Sequence, residues 1–406
     1  MTKFFSQISK IDKKILWLLF ILIIIAVWLR LPGKEGHSAY AYHELPRDLA
    51  VIKNISIGDF PLYGTRSSLN DFHFGPIYYY LYFPLAAIFH FAPYSLALTS
   101  LFFSILTILL GFFVVKKWWG NYWLALLFVF LMTFSLADVQ FAKYGSNPNP
   151  IPFFVLLFFY SLKNLYDNRR PILNTFILAV SFGVATQLHA VPLICLPIIL
   201  FVSLILKKIK VNFLETVIFI FTNLVLYFPY LFFEITHNFY NFRQLVSNTQ
   251  VTTYSAGIVE RLIYFLGFLI SPFISTNIFF DAPYLIGHRL VYLIIAFLLF
   301  VWATLRLDKK FSFKTELSAT HDNNLKTIFK LWLIIPSLVL IIPLDSVTAL
   351  NPYYFFILSP WLFIILALGI YKIFARGFRI TAIYLLFFFL VLQLVQYGYY
   401  QKIFVS

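Results

Sequence analysis

Two carboxylates and a guanidinium stand within five residues in the stretch Tyr40-Ala41-Tyr42-His43-Glu44-Leu45-Pro46-Arg47-Asp48. A carboxylate beside a cation and next to apolar surface can act as a general base, which makes Glu44 and Asp48 candidate catalytic residues. The same groups also read as ordinary charge at the start of a helix. Pro46 suits a first helical turn, where its missing N–H costs nothing. Beyond it, Leu49, Val51, Ile52 and Ile55 alternate with Lys53 and Asn54. That pattern predicts a short amphipathic helix resting on a membrane surface, with Glu44 just before its N-terminus.

Three further groups of polar residues follow along the chain. Gln140-Phe141-Ala142-Lys143-Tyr144-Gly145-Ser146-Asn147-Pro148-Asn149-Pro150 is a tight turn set by proline and asparagine. It offers one cation, Lys143, a phenol, Tyr144, and the amides of Asn147 and Asn149. Gln187-Leu188-His189 places a histidine at the end of an apolar run, and Asp345 to Tyr354 brings Tyr353 to another. Arg47 and Lys143, with His73, Arg243 and Arg289, are the candidates for holding an anion. Taken singly, each group reads equally well as a cap, a turn or an interfacial belt. Their convergence on one side of a membrane is what a binding site needs.

The elements that would hold these residues are apolar. The chain has 406 residues, 61% hydrophobic, 21% aromatic and 12% charged, with a mean hydropathy of +0.85. A soluble domain is about 45–50% apolar and about 25% charged, so this sequence takes lipid as its solvent. Runs of about 20 apolar residues predict eleven transmembrane helices: 15–31, 95–115, 122–140, 151–166, 172–188, 190–206, 212–233, 290–305, 331–345, 353–371 and 380–397. Two interrupted stretches, 75–92 and 258–279, read as juxtamembrane helices. The one cysteine, Cys195, lies in an apolar run, which excludes a disulfide framework and a thiolate cluster.

Charge orients the layout. With the N-terminus inside and the C-terminus outside, the inner segments hold 21 of the 31 basic residues and 6 acids, while the outer ones hold 10 of each. The net charge of +15 therefore falls on the cytoplasmic side, as the positive-inside rule expects. Because that excess is spread over several short loops, nucleic acid is not an expected partner. The expected fold class is an all-α polytopic protein of the cytoplasmic membrane, one domain over 1–406. A first outer loop spans 32–94, a second 234–289, and a cytoplasmic loop 306–330. Loops this long inside a compact protein are usually functional. The inner loop carries no phosphate-cradling GxxxxGK[ST] pattern.

The order of parts resembles the GT-C superfamily, specifically the family 39 glycosyltransferases, which include protein O-mannosyltransferases and aminoarabinose transferases of lipid A. The resemblance is carried by Trp28-Leu29-Arg30-Leu31, the Glu44–Asp48 segment, Gly58-Asp59-Phe60-Pro61-Leu62-Tyr63-Gly64 and Gly75-Pro76-Ile77-Tyr78-Tyr79-Tyr80. Lys143-Tyr144 with Asn147-Pro148-Asn149, Gln187-Leu188-His189 and Tyr353 to Pro360 complete it. It implies inverting transfer of a sugar from a polyprenyl phosphate to an acceptor hydroxyl, with a first-loop acid as base. By position Glu44 matches the family's first acid and Arg47 the arginine three residues on. The sequence departs in having Glu for the usual Asp and Leu45 for a polar neighbour, so Glu44 and Asp48 both stay candidates for the base. Ser146 stands where related sequences often carry Trp.

A phosphate-linked sugar already carries a good leaving group, so one base and a cationic clamp suffice. Related enzymes differ in metal use and the acids and histidines here have no fixed ligand spacing; a divalent cation is compatible with the resemblance and not demanded by it. The rival reading is a transporter or flippase of lipid-linked sugars. Ion-coupled transporters set ionisable groups near the bilayer midplane, whereas Asp138, Glu215, Glu234 and Asp345 all fall near span ends.

Overall fold

The computed structural model describes residues 12–32, 44–67, 72–209, 212–247, 258, 261, 262, 265, 268, 322–341 and 352–404. The spans expected at 290–305 and most of the cytoplasmic loop lie outside these residues, as does Arg289.

The described chain is almost wholly helical, and its helix ends follow local chemistry. Helix α1 (Lys13–Arg30) starts at Asp12, whose side chain accepts from the Lys14 N–H at 2.9 Å, and stops before Pro32. Then come α2 (Glu44–Asn54) with a 3₁₀ turn (Ile55–Ile57), and α3 (Ile77–Ile88). Next is α4 (Ser95–Trp119), which closes on Gly120 in the left-handed region with φ 69°. Helix α5 (Tyr122–Phe134) is capped by Asn121, which accepts from Leu124 N–H at 2.9 Å, and α6 (Leu136–Ala142) follows directly. Helix α7 (Ile151–Tyr166) and α8 (Pro171–Leu188) each carry proline in the first turn, where it is tolerated. Helix α9 (Ala190–Ile205), α10 (Phe213–Thr236) and α11 (Tyr240–Ser247) come next. After them stand α12 (Asn323–Ile341), a 3₁₀ segment (Pro352–Ile357), α13 (Ser359–Ala375) and α14 (Arg379–Phe404).

Among the described residues five helices, α4, α8, α10, α12 and the first twenty residues of α14, are long and apolar enough to cross a membrane. The α5–α6 pair makes a sixth if it is counted as one broken span, and α3, α7, α9 and α13 are apolar but shorter. The chain is a multi-pass membrane protein. Its outward surface is apolar: Trp17, Phe201, Phe221, Phe228 and Leu394 are all more than 60% exposed.

Two expectations need correction. The single span 122–140 is two helices, bent by 63° at Ser135. Helix α12 begins at Asn323, so the last eight residues of the stretch read as a loop over 306–330 are helical.

Packing separates two ends of the bundle. Helices α4, α7 and α9 all run from an end bearing α2 and the 143–150 turn toward an end rich in lysine. At that lysine-rich end, the buried Lys163 ammonium pairs with Asp167 at 2.6 Å and Asp322 at 2.8 Å. Beside it, Lys117 donates to Asn164 at 2.9 Å and Lys208 to Asn324 at 3.2 Å. The interior between the ends is rich in aromatic rings, as where Trp332 stacks on Phe159 at 4.2 Å while its indole N–H reaches the Ile357 carbonyl.

Candidate active site

Helix α2 divides its side chains by face. Leu49 and Ile52 are buried, with Ile55 just beyond, while Glu44, Arg47 and Lys53 face water. Glu44 is itself helical rather than lying just before the helix. Asp48 falls on the buried side and is 4% exposed. Its Oδ1 accepts from Arg47 Nε at 3.0 Å and Nη2 at 2.9 Å, and more distantly from the Tyr79 hydroxyl at 3.4 Å. Burial lifts the Asp48 carboxyl to a pKa of about 6, against the pull of Arg47 and with the push of Glu44. The guanidinium of Arg47 is thereby held in place while its side chain stays 49% exposed. One anchored cation and one exposed carboxylate, Glu44, share the open side of this helix.

Helix α3 ties that corner to the rest. Tyr78 packs between Tyr79 and Tyr82, at ring separations of 5.2 and 4.5 Å. Tyr82 reaches the Ser146 carbonyl at 2.8 Å and pairs with the Ser100 hydroxyl at 2.9 Å. Asn149 fixes the turn from within, its Nδ2 lying 2.6 Å from the Tyr144 carbonyl, 2.8 Å from Phe141 and 2.9 Å from Ser100. Asn147 donates to the Leu188 carbonyl at 2.6 Å. Both amide nitrogens are thus occupied as braces, while the buried Asn149 Oδ1 accepts no hydrogen bond. Lys143 caps α6, is buried, and lies 5.6 Å from the Tyr397 ring centroid.

A two-stranded hairpin precedes α3. Gly64 N–H bonds Phe74 O at 2.7 Å, Phe74 N–H bonds Thr65 O at 3.0 Å, and Arg66 bridges His73 in antiparallel fashion. Only glycine fits at two points: a Cβ on Gly64 would lie 2.2 Å from the Gly75 carbonyl oxygen, and one on Gly75 2.1 Å from Gln187 Oε1. The hairpin places His73 against α10 and α11. Its N–H bonds Asn241 Oδ1 at 2.9 Å, its carbonyl accepts from Tyr230 at 3.2 Å, and its ring meets Tyr63 edge-on at 4.9 Å. Arg243, two residues past Asn241, is exposed and touches the His237 carbonyl at 3.4 Å. His189 is buried, stacked on Phe74 at 6.1 Å and met edge-on by Tyr353 at 5.5 Å and Tyr354 at 4.7 Å. Its Nδ1 accepts from Val191 N–H at 3.3 Å, so it caps α9.

The structure therefore gathers Glu44, Arg47 and Asp48 in one corner, ties the 143–149 turn to it through α3, and joins His189 with Tyr353 beside the hairpin. Tyr79 and Tyr82 are the members that sequence reasoning left without a role, although the Gly75-Pro76-Ile77-Tyr78-Tyr79-Tyr80 motif named one of them. Among the described residues no three His, Cys, Asp or Glu side chains gather as a metal-holding group. Glu44 and Asp48 offer two carboxylates, of which Asp48 is already engaged by Arg47.

No family model matches the sequence, and no curated protein matches it. Solved structures do. ArnT from Cupriavidus metallidurans bound to undecaprenyl phosphate aligns with a TM-score of 0.55 at 12% identity, over 88% of this chain and 59% of its own. Its apo state gives 0.55 at 13% identity, over 87% and 59%. An Archaeoglobus fulgidus oligosaccharyltransferase in complex with zinc and sulfate gives 0.50 at 15% identity, over 93% and 52%. The chain shares its fold with these proteins. At these identities the likeness is one of fold alone, and the chain spans between half and three-fifths of the length of these proteins.

Proposed function

We propose that this GT-C-fold protein is an inverting glycosyltransferase that moves a sugar from a polyprenyl phosphate to an acceptor hydroxyl at the outer face of the cytoplasmic membrane. The observation that carries the reading is the open side of α2, where the exposed Glu44 carboxylate stands one turn from an Arg47 guanidinium pinned by buried Asp48. In this reading Glu44 removes the proton from the acceptor hydroxyl as that oxygen attacks the anomeric carbon. The bond to the lipid phosphate breaks on the opposite face, which inverts the configuration. Arg47 and Lys143 receive the charge that builds on the leaving phosphate, and preorganised cations do this without reorganising in the transition state. His73, Arg243 and Arg289 complete the cationic side, and Tyr144, Asn147, Asn149, His189 and Tyr353 shape the donor pocket. ArnT's binding of undecaprenyl phosphate in the same fold supports a lipid-phosphate donor.

The test is turnover by purified protein given a polyprenyl-phosphate sugar pool from its source membrane. Glu44→Gln keeps shape and hydrogen bonding, so donor binding should hold while turnover falls by about 10²–10⁴-fold, the usual cost of losing a positioned base. Asp48→Asn should cost less, because it loosens Arg47 without removing the base. An active Glu44→Gln beside a dead Asp48→Asn would move the base to Asp48; full turnover in both would mean that neither acid is the base, and no turnover by the unaltered protein would favour the transporter reading. Arg47→Ala and Lys143→Ala should each weaken donor binding, with Arg47→Lys only partly restoring it, since a point charge replaces a two-pronged donor. Unchanged donor affinity in both alanine variants would refute the clamp.

A further inference from the structure

Arg30 ends α1, is fully buried, and the hydrogen bonds described for it go to none of the residues assigned above. Its guanidinium donates to the carbonyls of Met132 at 2.6 Å, Thr133 at 3.0 Å and Ala26 at 3.3 Å, and to the Ser104 hydroxyl at 2.9 Å. The first two carbonyls lie in the last turn of α5. In an unbroken helix they would accept from the N–H groups of Leu136 and Ala137, four residues on. The bend at Ser135 removes those partners, and an unpaired carbonyl inside a membrane protein is costly. Arg30 supplies the missing donors. On the other strand of the break, the Leu136 N–H finds Gln393 Oε1 of α14 at 2.8 Å. Two side chains from distant helices therefore bridge the 63° bend.

The bend has a consequence for the site. Helix α6 is seven residues long, and its C-cap is Lys143. Its direction decides where Lys143 and the turn through Asn149 stand relative to α2. Asp138, half-buried in α6, lies within electrostatic reach of Arg30 and 3.4 Å from the Ser359 hydroxyl. Asp138 also borders a cavity of about 30 Å³ with Ser104 and Asn149. An arginine inside a membrane bundle is a functional candidate by default. Here four acceptors and a neighbouring carboxylate engage it.

We propose that Arg30 and Gln393 are positioning residues: by holding the α5–α6 break open at its angle, they set where the 143–149 turn meets the corner at Glu44 and Arg47. What that turn does for the lipid phosphate rests on the proposed function; the positioning itself does not. The experiment separates the two. In a Cys195→Ala background, Ser146→Cys reports the turn and Ser56→Cys the exposed 3₁₀ turn that follows α2, each labelled with a water-soluble maleimide in the intact protein. Arg30→Met keeps the bulk and removes every donor. It should change labelling at position 146 by about tenfold or more, the change that a lost hydrogen bond to a charged group produces, while leaving position 56 unaltered. Arg30→Lys should restore part of the difference. Unchanged labelling at 146 would overturn the proposal, and so would equal changes at both positions, which would mean general loosening. If Arg30→Met does not fold, Gln393→Leu must shift position 146 in the same selective way or the proposal fails. Polyprenyl-phosphate binding is then measured on the same proteins. Arg30→Met should lose what Lys143→Ala loses, and the double variant no more than either. Additive losses would show that Arg30 does not act through the turn. Normal binding by Lys143→Ala alone would refute the clamp and leave the labelling result standing.

Discussion

Asp48 is where burial and charge conflict most openly. Its carboxyl is buried against Tyr78 and Tyr79, and Glu44 and Arg47 are the charged groups facing it. Raised to about 6, it differs from an unfolded aspartate near 3.9. Between those values the folded protein holds a proton that the unfolded chain releases, so this residue's contribution to stability falls as pH rises through the window. Its hold on Arg47 has the opposite sign, strengthening as the carboxylate forms. Affinity for a polyprenyl-phosphate sugar should therefore gain an Arg47-dependent component as pH rises through about 6, and Asp48→Asn should flatten that limb. Titrating donor affinity from acid to neutral pH in both proteins checks it; a limb that persists in Asp48→Asn belongs to another group. The Tyr79 hydroxyl favours the carboxylate across a long contact of 3.4 Å. Tyr79→Phe should accordingly raise the midpoint of the limb, by less than about one pH unit.

At the scale of elements, the hairpin before α3 is tight enough to predict from. Alanine at Gly64 would drive a methyl into the backbone carbonyl of Gly75, which cannot swing aside. A cost of about 1–3 kcal/mol is expected, as for other overpacked sites. Gly58 has φ 88° and open space around it, so alanine there costs only the left-handed backbone, about 1 kcal/mol. Thermal unfolding in detergent should rank Gly64→Ala below Gly58→Ala, and equal midpoints would mean that the hairpin has room. Most helix boundaries were legible in the sequence, because Asp12, Asn121, Pro150, Pro171 and Gly120 are local signals that tertiary packing did not override. The break at Ser135 was not, since the apolar run continues through it and mean hydropathy ignores caps. Its signal was there: Ser135 and Asp138 form an Ser-x-x-Asp start pattern inside what reads as one span. The candidate acids and cations were legible as types. Which partner each would find was not, because Tyr79 on Asp48 and Asn147 on Leu188 are contacts made by folding across 31 and 41 residues.

Among the described residues the two ends of the molecule differ in charge, and that difference bears on the expected topology. Lys117, Lys163 and Lys208 gather at one end with Asn164, Asp167, Asp322 and Asn324. The Glu44–Asp48 corner, the 143–149 turn and His189 gather at the other. The sequence count expects the basic excess on one side of the membrane, and among the described residues packing brings Lys117, Lys163 and Lys208 of that set together. A bilayer with an anionic, charge-retaining inner side draws such an end inward. Reporter fusions after Lys117 and after Lys330 should accordingly register the cytoplasm, and fusions after Arg66 and after Ser406 the exterior. The decisive fusion is the one after Lys117. Helix α3, twelve residues long, covers about 18 Å at 1.5 Å per residue, short of a hydrocarbon core of about 30 Å. If an exterior signal came from Lys117, α3 would have to cross despite its length, every later loop would change sides, and the corner at Glu44 would no longer share a compartment with the turn that α3 ties to it.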